Sequence, residues 1–121
     1  MKSFSFGALL TAVMAFIPLA ADAGCELFEH RDYGGANWYM EADERLMMVE
    51  GESVGSTTSG NIYYEPSWND SVSSFKVGSG CTLTLWVDIN EGGAHFRSSS
   101  SYKYVGGDWN DEASEALCEC P

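Results

Sequence analysis

Hydrophobic and polar residues alternate along several short stretches of this chain, and the period is two. Cys81-Thr-Leu-Thr-Leu-Trp-Val87 places Leu83, Leu85 and Val87 on one face and Thr82, Thr84 and Trp86 on the other, which predicts a strand. Ser73-Ser-Phe-Lys-Val77 alternates likewise, and Gly78-Ser-Gly80 turns it into the Cys81 strand. Cys25 to Glu29 predicts a third strand of the same kind. Glycine pairs at 34–35, 92–93 and 106–107 mark bends where backbone approaches backbone or takes positive φ. Beyond residue 23 no stretch carries a helical pattern longer than about two turns. Glu41–Val49 predicts at most one short helix, and the Ser/Thr/Gly-rich stretch Gly51–Gly60 predicts a mobile loop.

Two of these stretches are degenerate copies of each other. Leu27–Met40 reads LFEHRDYGGANWYM and Leu85–Ser98 reads LWVDINEGGAHFRS, and each copy later reaches Trp-Asn-Asp, at Trp68-Asn69-Asp70 and Trp109-Asn110-Asp111. The first copy arrives later, and Glu41–Gly60 is where its surplus must sit. An internal duplication means that each copy is one supersecondary unit needing the other. Eight or so short strands in two matched halves, with no helix to cross over, predict an all-β fold: a two-sheet sandwich of paired Greek keys.

The N-terminus has a different character. Met1-Lys2 is followed by an apolar run from about Phe6 to Ala20 and then by Ala21-Asp22-Ala23, the pattern of a cleaved secretory signal. The run is short for a membrane span of ~20 residues, so a retained anchor is the weaker reading. Residues 1–23 are therefore assigned to a signal peptide and 24–121 to one domain, with motif one at 25–80, its insert at 41–60, and motif two at 81–121.

Charge narrows the partners. The chain carries a formal net charge of −12, which repels nucleic acid and anionic membranes and attracts cations. Acidity alone also serves solubility, so a cation site needs a local argument. The four cysteines, Cys25, Cys81, Cys118 and Cys120, all follow the signal, and an even count in an exported chain favours two disulfides over a zinc site.

The repeat is specific enough to carry a resemblance. Aromatic-x4-aromatic-x-Gly, followed by [Asn/Asp]-[Asn/Asp]-x-x-[Ser/Thr]-Ser, resembles the βγ-crystallin Greek-key motif. Copy one matches throughout, with Phe28, Tyr33 and Gly35, then Asn69-Asp70-Ser71-Val72-Ser73-Ser74. Copy two has Trp86 and Gly93 but Glu91 for the second aromatic, and Asn110-Asp111-Glu112-Ala113-Ser114 but Glu115 for the final Ser. The single exported domain looks like the microbial members of the family.

The resemblance implies up to two calcium ions in the loops joining the motifs. Calcium takes about 6–8 hard oxygen ligands, and an Asn-Asp-x-x-Ser segment offers a carboxylate, a carbonyl and a hydroxyl within one turn. Carried over by position, the first segment supplies the Asp70 side chain, the Ser71 carbonyl and the Ser73 hydroxyl. The second supplies Asp111, the Glu112 carbonyl and Ser114. A further backbone carbonyl is implied inside each aromatic-x4 turn, near Arg31 and near Ile89. The division of these ligands between the two ions is open at this level. The same scaffold resembles that of small secreted protease inhibitors and antifungal toxins, for which Glu41–Gly60 is the natural active loop.

Other residues fit the framework without adding chemistry. His30 and His95 lie in no nucleophile or metalloprotease motif and read as surface residues of hairpins, so no enzyme is expected. Ser98–Ser101 reads as a solvated loop, and Trp68 and Trp109 as core packing beneath the Asn-Asp segments. Asn69-Asp70-Ser71 is also an N-glycosylation sequon, which would compete with a cation at the same turn. Superposing Ser114 on Ser73 puts Cys118 at the inward position of Val77, and Cys25 shares the phase of Leu27. That favours Cys25–Cys118, leaving Cys81 for Cys120, with no link between Cys118 and Cys120. The expectation is a monomeric, secreted, calcium-stabilised structural protein.

Overall fold

The computed structural model describes residues 23–51, 54–57 and 60–121; the signal assigned to 1–23 lies outside them except for Ala23. The strands are β1 Gly24–His30, β2 Gly34–Glu41, β3 Glu44–Met47, β4 Val54–Thr57, β5 Gly60–Tyr64, β6 Ser74–Val77, β7 Thr82–Asp88, β8 Gly92–Ser98 and β9 Glu115–Glu119. They form two sheets, β2-β1-β6 and β4-β5-β3-β9-β7-β8. The sandwich of Greek keys expected from the repeat is present.

Each copy builds the same hairpin. β1 pairs antiparallel with β2 and β7 with β8, and both ladders shift register at one place, between Phe28 and His30 and between Trp86 and Asp88. Positive φ recurs at matched positions, Asp32 with Asn90, Tyr33 with Glu91, and Asp70 with Asp111. Holding a non-glycine residue there costs about 1 kcal/mol, so the shared backbone is imposed by tertiary structure. Gly35 and Gly93, at φ 76° and 70°, favour glycine in conformation and in space. A Cβ would lie 2.5 Å from the His30 ring in one and 2.9 Å from Asp88 Oδ2 in the other.

The Greek-key swap joins the halves. β3, from copy one, leaves its own sheet and pairs with β9 of copy two, Leu46 opposite Ala116. The reciprocal strand of copy two is reduced to a bridge at Tyr102 opposite Phe75. Leu27, Met40, Leu46, Phe75, Leu83 and Leu85 fill the space between the sheets with almost no exposed surface. The alternation of β7 holds for its inner face, but Thr84 and Trp86 on the other face are also buried. Arg97 donates to Thr84 Oγ1 at 3.2 Å, and the Arg45 guanidinium lies 5.5 Å from the Trp86 ring.

Two expectations in the insert are corrected. Glu41–Val49 holds strand β3 rather than a short helix, because β9 offers it an unpaired edge and the core takes Leu46 and Met48. A two-turn helix has no comparable stabilisation in water. Gly51–Gly60 is not simply a loop: β4 lies within it and β5 begins at its end, and the pair extends the larger sheet beside β3. Residues 52, 53, 58 and 59 lie outside the described residues.

The cysteines pair as Cys25–Cys118 and Cys81–Cys120. The first bridge ties β1 of one sheet to β9 of the other across the core. The second joins the residue before β7 to the residue after β9. Cys118 and Cys120 remain unlinked, their sulfurs 3.9 Å apart. Trp68 is buried and Trp109 packs against the same core, while His30 and His95 are exposed. Of Ser98–Ser101, Ser98 ends β8 opposite Leu83 and is half-buried, and only Ser99–Ser101 form a solvent-facing turn, with the Ser100 N–H donating to Ser98 Oγ at 2.9 Å.

Candidate cation site

The two Asn-Asp segments cross at the junction of the halves and bond to each other. The Asp70 N–H donates to the Ala113 carbonyl at 3.0 Å and the Asp111 N–H to the Val72 carbonyl at 3.1 Å. Each segment is also fastened to its own first strand: the Ser73 N–H donates to the Phe28 carbonyl and the Ser114 N–H to the Trp86 carbonyl. This reciprocal lacing follows from the duplication, and it brings the acidic side chain of one copy beside the hydroxyl of the other.

One open cleft gathers Arg31, Asp70, Ser71, Ser73, Tyr104, Asn110 and Asp111, with Glu29 and His30 at its wall. Within it the Ser73 hydroxyl donates to Asp111 Oδ1 at 3.3 Å. Five of the eight residues expected at metal sites, Arg31, Asp70, Ser71, Ser73 and Asp111, are therefore together. The other three are not in this cleft. Ser114 donates to Asn69 Oδ1 at 2.7 Å on the other side of the crossing, the Ile89 carbonyl accepts from the Gly92 N–H, and the Glu112 N–H donates to the Trp109 carbonyl.

The donor chemistry of the cleft suits a hard cation. Its lining carries the carboxylates of Glu29, Asp70 and Asp111 and the hydroxyls of Ser71, Ser73 and Tyr104, beside the Arg31 guanidinium and the His30 imidazole. Among the described residues the Asn110 amide oxygen is buried without a hydrogen-bond partner. Its counterpart in the other copy, Asn69, has the Ser114 hydroxyl. A buried amide oxygen left unpaired costs about 1–3 kcal/mol, which a ligand on that side would offset. The residues present fit calcium. The sulfurs of Cys81, Cys118 and Cys120 also cluster, but disulfide bonding makes them unavailable as thiolates.

The turns that carry Arg31 and Ile89 are pinned differently. In copy one the Tyr33 N–H donates to Ser74 Oγ at 3.1 Å, and that hydroxyl donates on to the His30 carbonyl at 2.6 Å. Tyr33 packs on Phe28 with ring centroids 5.5 Å apart, and Lys76 lies over both rings. In copy two the Glu91 N–H donates to Glu115 Oε1 at 3.0 Å. Glu115 is fully buried, and its other oxygen pairs with Arg45 Nη1. Arg45 Nη2 also holds Glu91 at 2.8 Å. Both departures of copy two from the motif are thus clasped by one arginine from β3. The sequence shows each departure singly; that they share a partner needs the strand swap.

A family model for the peptidase inhibitor family I36 matches residues 25–98, which takes in the first copy, its insert and the second hairpin. The chain belongs to peptidase inhibitor family I36. No curated protein sequence matches it. Among solved structures, the chain is similar to a double mutant of a βγ-crystallin domain from Clostridium beijerinckii, at 24% identity and a TM-score of 0.60, covering 79% of this chain and 96% of that one. A βγ-crystallin domain from Flavobacterium johnsoniae aligns at 19% identity and a TM-score of 0.57, over 79% and 93% of the two chains. The N-terminal domain of protein S aligns at 17% identity and a TM-score of 0.59, over 81% and 97%. This I36 member has the βγ-crystallin fold, as its two motifs imply.

Proposed function

We propose that this I36 member is a secreted, non-enzymatic protein whose βγ-crystallin-type domain binds up to two calcium ions that stabilise the fold. The observation that carries the reading is the Ser73 hydroxyl of one copy meeting Asp111 of the other inside a cleft rich in carboxylates and hydroxyls. Asp111, Ser73 and the Arg31 carbonyl would hold one ion. Asp70, Ser114 and the Ile89 carbonyl would hold its twin, with the Ser71 and Glu112 carbonyls completing the sets. A bound ion supplies positive charge where the two acidic segments cross, so it binds the folded chain and not the unfolded one. At a hundredfold excess over its dissociation constant, such a ligand adds about 2.7 kcal/mol of stability. The signal pattern, the disulfides and the family support export, where external calcium is plentiful. The net charge of −12 argues against a nucleic-acid partner, and the expected form is a monomer.

The test is thermal melting and Trp emission of chelator-treated protein with and without calcium. A midpoint that rises with calcium supports the reading, and superimposable curves overturn it.

A second reading, peptidase inhibition, is favoured by the family match across residues 25–98. In it the disulfide-tied sandwich is a scaffold and the insert that holds β4 and β5 meets the enzyme. Inhibition of an extracellular peptidase that disappears when the insert is shortened supports this reading. Inhibition that is unchanged by the shortening removes the insert from it.

A further inference from the structure

The cleft contains a cation of its own. Arg31 lines it together with Asp70 and Asp111, yet among the described residues Arg31 makes no ion pair with either aspartate. Its guanidinium lies instead over the Tyr104 ring, 4.0 Å from the centroid, and Tyr104 lines the same cleft. The ring is fixed relative to the turn, because the Asp32 N–H donates to the Lys103 carbonyl at 2.8 Å and the Val105 N–H to the Ser73 carbonyl at 2.9 Å. Asp32, next to Arg31, is thus bonded to Lys103, next to Tyr104, and Val105, on the other side of Tyr104, to Ser73, which keeps ring and guanidinium in register.

We propose that Tyr104 parks the Arg31 guanidinium away from Asp111, the carboxylate of the cleft site, so that Arg31 is a built-in competitor whose release lowers the affinity of that site for a divalent cation. Guanidinium and carboxylate are complementary in shape and charge, so an unrestrained Arg31 occupies the oxygens that a metal needs. The face of an aromatic ring is the alternative seat for the same cation. Copy two lacks the device. Met48 and Val105 make equivalent bonds, to the Ser114 and Ser73 carbonyls, so Met47 stands where Tyr104 stands and Ile89 where Arg31 stands. The inference rests on the calcium reading, and it makes the cleft site the one whose affinity depends on side chains that are not ligands.

The test is a calorimetric calcium titration of the protein and of Tyr104→Leu, Arg31→Gln and the double variant, all of which keep the Arg31 backbone carbonyl. Tyr104→Leu is expected to weaken the cleft site about fivefold, the scale of a cation–π contact at a partly exposed position. Arg31→Gln is expected to tighten it, and the double variant to match Arg31→Gln alone. A merely structural loss from Tyr104→Leu would not be rescued by Arg31→Gln, so failure of the rescue overturns the inference. So does an unchanged affinity in Tyr104→Leu while the parent protein binds calcium. If the parent protein binds no calcium, the functional reading itself falls.

Discussion

The two copies solve one problem, closing a strained turn over a buried strand, with different chemistry. Copy one uses a hydroxyl: Ser74 accepts from the Tyr33 N–H and donates to the His30 carbonyl, neutral bonds that need no further partner. Copy two uses a carboxylate: Glu115 accepts from the Glu91 N–H, and a buried negative charge then requires Arg45. The backbone is the same in both turns, with positive φ at Tyr33 and Glu91. A repeated fold therefore fixes the donors and acceptors a position must offer, and not the residue that offers them. It also means that the turn of copy two is closed by a charged side chain from a strand of copy one. The side chain that closes the turn of copy one, Ser74, is its own, and copy two adds a backbone bond there, from the Asp32 N–H to the Lys103 carbonyl.

That dependence is the place to break the comparison hardest. Arg45→Met leaves the Glu115 carboxylate buried and unpaired, and is expected to cost about 3 kcal/mol, the lower end for breaking a buried ion pair. Denaturant unfolding measures it, and Arg45→Met with Glu115→Ser, which gives copy two the hydroxyl of copy one, should recover most of the loss. Removing the bridge between the sheets with Cys25→Ala and Cys118→Ala should cost about 2–4 kcal/mol, read as a lower melting midpoint. Ser74→Ala strips two neutral hydrogen bonds from copy one and should cost about 1–2 kcal/mol, less than Arg45→Met. If Ser74→Ala proves the more damaging change, the contrast between a turn closed by a neutral hydroxyl and one closed by a buried ion pair is wrong.

The duplication made most of the fold legible in the sequence. Matched glycines, aromatics and Asn-Asp pairs announced two Greek keys, and alternation at Leu27, Val77 and Cys118 was enough to indicate a bridge between Cys25 and Cys118. The strand in the insert is not legible in the sequence because β3 has only local polarity to show: Glu44 and Arg45 beside Leu46 and Met47 suit one helical turn as well as a strand. Its state is decided by the edge of β9, which lies far along the chain. The Arg45 clasp was illegible for the same reason, since nothing in the sequence places Arg45 beside Glu91 and Glu115 until the strand swap is known. At the cation site the residue types were legible and their grouping was not. The Ser73–Asp111 pairing depends on the two segments crossing, and the position of Arg31 over Tyr104 depends on a side chain's choice between two partners.

The difference between the halves should also appear in how each acidic segment contributes to binding. Asp111 meets the hydroxyl of the opposite copy directly, whereas Asp70 shares the cleft while its neighbour Asn69 holds Ser114. The most direct measurement is a calorimetric calcium titration of the parent protein, Asp70→Ala and Asp111→Ala under one buffer. Saturable binding by the parent is expected, with each substitution removing capacity and the two affinity losses differing. Heats of dilution alone in the parent, or identical isotherms for all three proteins, would contradict a calcium site shared between the copies.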